Sequence, residues 1–381
     1  MRDIDSYRGC FVGGAVGDTL GYFVEFMDEQ AIFEKFGKQG ITEYVLDSQG
    51  IARFSDDTQM TLYTANSLLV GTTRGATRGV GGTSPSYAAQ FYEEWYRTQT
   101  EPYPLSSSIA WISAYPELFE RRAPGNTCLD VCIRGAKGTI TDPINTSKGC
   151  GGIMRVAPVG LYLDPEDKQI CETRRYSYEE VQRFGADIAA LTHGHELGWL
   201  PAAVLAHIVS KLSHDSSTTI REAALDALDV LPNAFPRAQH VPTLDALLRK
   251  AIELSESEVS DLDVIHELGE GWVAEETLAV ALFCALRYSD NFESAVVAAV
   301  NHSGDSDSTG SVTGNIVGAK VGLEGIPEKF VAPLELSDVI VELADDLFYD
   351  CPLSEYERSA DGAWEHKYIA SDYVDWKKSV S

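Results

Sequence analysis

Two series of glycines constrain this chain more than any other feature of its sequence. Gly9, Gly13, Gly17 and Gly21 lie near the start and Gly310, Gly314, Gly318 and Gly322 near the end, each series with a strict spacing of four. Residues four apart share one face of a helix, so each series would form a bare stripe. Glycine costs roughly 1 kcal/mol per helix-interior position relative to alanine, and eight of them need a compensating gain. Close approach of another backbone supplies one. A transmembrane glycine dimer is excluded by Asp18, Glu25, Lys320 and Glu324 and by the lack of an apolar span around them. Both stripes are expected to be packed core contacts, and packing against each other would bring the two ends of the chain together.

Helical periodicity dominates the rest of the sequence, and an all-α fold follows. Residues 56–69, 87–97, 178–191, 200–212, 220–230, 243–254, 275–288 and 292–300 are the strongest candidate helices, whereas 41–46 and 156–163 read as short extended pieces. Residues 71–85 (GTTRGATRGVGGTSP) have the composition of a flexible surface loop. Chemically suggestive motifs fall on both sides of that loop, so it is not a domain linker. The expected organisation is a single domain over 1–381, with the loop at about 71–85 and an acidic C-terminal extension from about 334.

The formal net charge of −28, from 58 acidic and 30 basic residues, argues against a nucleic-acid partner, which would need clustered lysine and arginine. Seven scattered cysteines lack the spacing of a disulfide framework, and no second Cys or His pair completes a zinc site with Cys128 and Cys132. The first residues carry two acids and no apolar stretch, and no membrane-length apolar run occurs. The cytoplasm, with no membrane partner, is the expected location.

Three acidic groups carry the chemistry. Ser55-Asp56-Asp57 opens a candidate helix. Ser55 suits an N-cap and carboxylates suit a first turn, yet the same start can aim adjacent oxygens at hard divalent cations. Asp305-Ser306-Asp307-Ser308 stands directly before the second glycine series. An EF-hand is rejected there, because the twelfth position would be Ile316, which cannot supply a bidentate carboxylate. Glu25 follows the first glycine series, and only the company of the other two groups distinguishes it from an ordinary surface glutamate.

Taken together, GCFVGGAVGDTLGYFVEF, SDDTQM, NTSKGCGGIMRVAPVGL, LTHGHELG and NHSGDSDSTGSVTGNIVGA resemble, in order and context, the ADP-ribosylglycohydrolases. The resemblance covers roughly residues 5 to 350. It implies a compact orthogonal multi-helix bundle with two divalent cations, Mg2+ ahead of Mn2+, at the base of an ADP-ribose cleft. By the same resemblance Ser55, Asp56, Asp57, Asp305, Asp307 and Ser308 would hold the metals, with serine where many members have threonine. Glu25, Asp56 and Asp305 are the implied catalytic residues, Glu25 on a mobile loop over the metals.

The resemblance also implies a substrate cleft. Ser147, Lys148, Gly149, Gly151, Gly152 and Met154 belong to a glycine-rich loop following the diphosphate, where backbone N–H groups meet anionic oxygens. Lys148 departs from an aromatic residue that some members place beside the adenine. Gly125 and Asn126 match a second loop near the substrate, and His193 a histidine at the cleft, while His195 could equally be structural.

The implied reaction is hydrolysis of the bond between ADP-ribose and a modified protein side chain, most plausibly arginine given the acidic surface. The partners would be an ADP-ribosylated protein and a cognate ADP-ribosyltransferase. Two alternatives stand beside it: a non-catalytic binding or immunity protein of the same fold, and a hydrolase of another linkage such as serine or O-acetyl-ADP-ribose.

Overall fold

The computed structural model describes residues 3–79, 85–165, 176–353 and 361–380. In chain order its helices are α1 (Ile4–Tyr22), α2 (Glu29–Phe36), α3 (Asp56–Arg78), α4 (Pro85–Thr100), α5 (Asn126–Cys132), α6 (Ala157–Tyr162), α7 (Tyr178–Ala190), α8 (Glu196–His214), α9 (Ile220–Ala234), α10 (Val241–Leu254), α11 (Asp261–Leu268), α12 (Ala274–Arg287), α13 (Phe292–Val300), α14 (Ser306–Val321), α15 (Glu328–Val331), α16 (Ser337–Tyr349), α17 (Gly362–Glu365) and α18 (Tyr373–Val380). Among the described residues there is no sheet, only isolated bridges between Ala52 and Leu334 and between Gly149 and Val273. The all-α multi-helix fold is as the sequence led us to expect.

Local signals set the helix starts. Ser177 with Glu180 opens α7 and Thr219 with Glu222 opens α9, each pair forming a reciprocal capping box. Asp3, Asp28, Ser55 and Asp305 cap α1, α2, α3 and α14 through their side chains. α8 is buried on nearly every side from Leu197 to His214, as befits a helix in the middle of a bundle.

The glycine stripes meet. α1 and α14 run antiparallel, with Gly9 on Gly318, Gly13 on Gly314 and Gly17 on Gly310. A methyl group placed on Gly13 would lie 2.4 Å from the Gly314 carbonyl oxygen, and one on Gly314 would lie 1.9 Å from the Gly13 oxygen. Nothing larger than glycine fits there. At the ends the pairing changes partner: Gly21 faces Ser306, and Gly322, at φ +72°, also terminates α14.

Three local expectations are corrected. Residues 71–78 are not loop but the last two turns of α3, ended by Gly79 at φ +63°. Their hydroxyls bond back along the helix, Thr73 to the Leu69 oxygen at 2.6 Å and Thr77 to the Thr73 oxygen at 2.7 Å, and the Trp364 indole N–H donates to Thr73 Oγ1 at 2.9 Å. Packing overrides the weak propensity of the Gly-Thr sequence. Residues 80–84 lie outside the described residues. Most of the piece 156–163, expected to be extended, is α6, buried from Ala157 to Leu161; an apolar run buried all round carries no period to distinguish helix from strand. Beyond 334, α16 turns Val339, Ile340, Leu343, Ala344 and Leu347 inward against α1 and α3, so this segment contributes to the core.

Candidate active site

The seam between α1 and α14 ends where the chemistry begins. Glu25 follows α1, and Asp305 and Asp307 begin α14; one carboxylate oxygen from each of the three lies within 4.8 Å of the others. α3 brings its N-terminus to the same place. Ser308 Oγ donates to Asp57 Oδ2 at 2.8 Å, joining residues 251 apart in sequence, and the Gly125 N–H donates to Asp56 Oδ2 at 3.3 Å.

All five carboxylates are buried, Glu25 being 7% exposed and Asp56 4%. Burial first, and then Asp307, Asp305 and Asp56, push the Glu25 carboxyl up to about 10. Burial and the neighbouring Asp307 raise Asp56, Asp57 and Asp305 well above the usual carboxylate range. No lysine or arginine among the described residues forms an ion pair with any of them. Carboxyls buried together without a cation favour their protonated forms, and a bound cation would favour the ionised ones. Oxygen-only donors suit hard divalent ions such as Mg2+ or Mn2+. Glu25 Oε2 is buried with no hydrogen-bond partner among the described residues, which leaves it open to a ligand.

These groups form the floor of a cavity of about 750 Å³, within the size range of small-molecule sites. Of the residues expected at the site, Glu25, Asp56, Asp57, Asp305, Asp307 and Ser308 line it, together with Gly125, Asn126, Gly149, Gly151, Met154 and His193. Ser55, Ser147, Lys148 and Gly152 do not. Ser55 is fully buried and its hydroxyl accepts from the Asp57 N–H at 3.2 Å, capping α3. Ser147 lies behind the loop, its Oγ 3.2 Å from Thr127 Oγ1. Lys148 turns away to pair with the buried Glu275. Gly152 is pressed against α8, where an added methyl would come 2.8 Å from the Gly198 oxygen. A second cavity of about 580 Å³, among Phe33, Ile265, Glu293 and Val297, contains none of the expected residues.

The glycine loop is shaped by His193. A methyl on Gly151 would meet Cys128 Sγ at 2.8 Å and the His193 ring at 3.1 Å. Burial, with help from Arg155, lowers His193 to about 3, so the imidazole stays neutral. Its Nδ1 lies 2.8 Å from Thr192 Oγ1, which also accepts from the fully buried Arg155, whose guanidinium stacks over Tyr92 at 4.3 Å. His195 caps α8 by accepting from the Leu197 N–H, a structural role.

The sequence reading missed Asp18. Fully buried in α1, it accepts from the Ser55 N–H at 2.9 Å and the Thr58 N–H at 3.0 Å, and from the Thr58 hydroxyl, thereby fixing the turn that presents Asp56 and Asp57. Burial and Asp307 raise its carboxyl to about 7. The signal was present: between Gly9 and Gly21 it is the lone charged residue in a stretch otherwise small, hydroxylic or apolar. Phe26, Arg121, Cys150 and Trp272, which also line the cavity, carried no such mark.

The family model for ADP-ribosylglycohydrolase matches residues 1–356. Mouse ADP-ribosylhydrolase ARH3 is 26% identical over 92% of this chain and 93% of its own length. ADP-ribosylarginine hydrolase Tri1 of Serratia proteamaculans is 24% identical over 93% and 82%. A solved structure described as an ADP-ribosylglycohydrolase-related protein complex superposes with a TM-score of 0.58 at 25% identity, covering 91% of this chain and 98% of its own. With helices, carboxylate-floored cavity and near full-length likeness in agreement, this chain belongs to the ADP-ribosylglycohydrolase family of hydrolases.

Proposed function

We propose that the protein removes ADP-ribose from modified arginine side chains, using two divalent cations, Mg2+ in preference to Mn2+. The observation that carries this reading is the convergence of five buried carboxylates, from three separate parts of the chain, with no cationic side chain among the described residues paired to them. Asp56, Asp57, Asp305 and Asp307, with the hydroxyl of Ser308, would hold the ions, while Ser55, turned to cap α3, takes no part. Bound there, such ions supply Lewis acidity and a water that ionises near neutral pH.

The remaining work falls to the chain itself. Backbone N–H groups around Gly149 and Gly151 meet the diphosphate, and neutral His193 keeps that loop in place. Water adds to the anomeric carbon as the bond to the arginine nitrogen breaks, through an oxocarbenium-like transition state. Glu25 Oε2 takes the proton from that water and passes it to the departing guanidino nitrogen. Arginine is favoured over serine or O-acetyl linkages by the acidity of the protein, at −28 net charge, which suits a cationic context. The relative Tri1, named an ADP-ribosylarginine hydrolase, points the same way.

The macromolecular partner in this reading is a cytoplasmic protein carrying ADP-ribosyl-arginine, made by an ADP-ribosyltransferase. In keeping with it, no helix among the described residues is long and apolar enough to cross a membrane, and six cysteines are free thiols. The test is release of free ADP-ribose from an arginine-modified protein, in parallel with serine-linked and O-acetyl-ADP-ribose substrates. Release from the arginine substrate that EDTA abolishes and Mg2+ restores is expected; release from only the other two would overturn the arginine assignment.

A further inference from the structure

Two exposed aromatic rings stand at the mouth of the cavity, and nothing described so far uses them. Phe26 is 74% exposed and Trp272 is 41% exposed, and both line the same cavity as the carboxylates. Their rings face each other with centroids 6.2 Å apart and planes 23° from parallel. A planar group sandwiched between two rings needs two contact distances of about 3.5 Å, or roughly 7 Å in all. The centroid separation of 6.2 Å is about 1 Å below that, so the rings must part or slide for such a group to enter.

The position of the pair says which planar group it would meet. Phe26 is next in sequence to Glu25. Trp272 follows Gly271, whose bare Cα packs against Asp305 and Thr309, so an added methyl would come 2.8 Å from Thr309 Cγ2. Both rings are therefore carried by residues adjoining the carboxylate floor, where the scissile bond is broken. Trp272 is held firmly from behind: its carbonyl accepts from the Cys150 N–H at 3.3 Å, and the next residue, Val273, bridges to Gly149. Phe26 lies in the short turn between α1 and α2, and its side chain is mostly exposed, so any parting of the rings falls to it.

From this geometry we infer that Phe26 and Trp272 form a two-ring clamp for the guanidinium of the arginine from which ADP-ribose is removed. The inference rests on the arginine reading above and adds the residues that would select for it. A guanidinium is flat, delocalised and weakly hydrated, and it stacks on aromatic faces. Glu25, buried beside the clamp with its Oε2 unpartnered, offers an acceptor to an N–H of the same group. An alkyl ammonium or a serine leaving group would gain little from two parallel rings.

The test uses the Mg2+-loaded full chain and two small probes, agmatine for the guanidinium and cadaverine for an amine of similar length. Their binding is followed by ligand-observed NMR titration, and KM and kcat are measured on arginine-linked substrate. Phe26→Ala and Trp272→Ala are each expected to weaken agmatine about tenfold and to raise KM by a similar factor with kcat nearly unchanged. Phe26→Tyr and Trp272→Phe should stay close to wild type. Equal binding of agmatine and cadaverine by the wild type, or unchanged agmatine binding in both alanine variants, would overturn the clamp. Failure of the wild type to cleave the arginine substrate would instead overturn the function reading, and the titrations would still decide the clamp.

Discussion

The two ends of the α1–α14 helix pair are built on opposite physical terms. Along the seam, from Gly9 on Gly318 to Gly17 on Gly310, backbone touches backbone at each glycine pair with no charge between. At its end, Glu25, Asp305 and Asp307 crowd unbalanced charge into a buried space. The first region gains from closeness alone, whereas in the second each carboxyl resists the ionisation of the next. Their adjacency teaches that the seam is a spacer, its glycines setting two helix ends at a separation that larger residues would widen. The site inherits its geometry from that contact.

The comparison breaks most sharply if a carboxylate can be removed at no cost. Asp56→Ala or Asp305→Ala should lower kcat/KM on arginine-linked substrate by 1,000-fold or more, roughly 4 kcal/mol of transition-state stabilisation, while the far-ultraviolet circular dichroism stays wild type. An active variant with bound metal would show that the acids are not the site. Next in size is the seam. Gly314→Leu drives a side chain into the Gly13 backbone, and thermal or urea unfolding should show a loss of about 3 kcal/mol or more, if the variant folds at all. Unchanged stability would mean that the two helices are not in such close contact.

The charged end can be probed by pH. In the metal-free protein Glu25 is raised to about 10 and Asp18 to about 7, both above their unfolded values. Groups shifted upward lend stability at low pH, and that stability is lost as pH rises through their folded values. Metal-free protein should therefore weaken between about pH 4.5 and 10. Cations favour the deprotonated forms, so the gain in melting temperature from Mg2+ should be larger at pH 8.5 than at pH 5.5. At a hundredfold excess over Kd the gain corresponds to about 2.7 kcal/mol. A gain that shrinks with rising pH would contradict a carboxylate metal site.

The smallest effect sharpens the comparison, because Asp18 belongs to both regions. It lies on the seam helix, one residue after Gly17, and holds the turn that begins α3. Asp18→Asn preserves size but gives up a charged acceptor, and Mg2+ affinity measured by calorimetry should fall roughly tenfold. Affinity equal to wild type would reduce Asp18 to a packing residue.

Much of this was legible in the sequence for reasons that can be named. Glycine in a helix carries a cost, so its repetition at fixed spacing announced the seam. Asp56, Asp57, Asp305 and Asp307 were readable from the serine oxygens beside them and from the flanking motifs that carry the family resemblance, since first-turn acids alone are common in this chain. What escaped depended on tertiary contact. The last turns of α3 carry loop-like residues that become helical by packing, with Trp364 donating to Thr73. Lys148 sits within the expected substrate loop, yet its ion pair with Glu275 is set by a residue 127 positions away. Phe26 and Trp272 are single aromatics whose meaning lies wholly in their facing each other.

A seam that joins residues 9–21 to 306–322 also sets the order in which the molecule can be completed. As the chain emerges from the ribosome, α1 waits for nearly three hundred further residues before its glycine face finds a mate. Contacts so distant along the chain form slowly and leave their surfaces uncovered in the meantime. Until α14 arrives only Glu25, Asp56 and Asp57 of the five carboxylates are present, so a prematurely ended chain holds half a site.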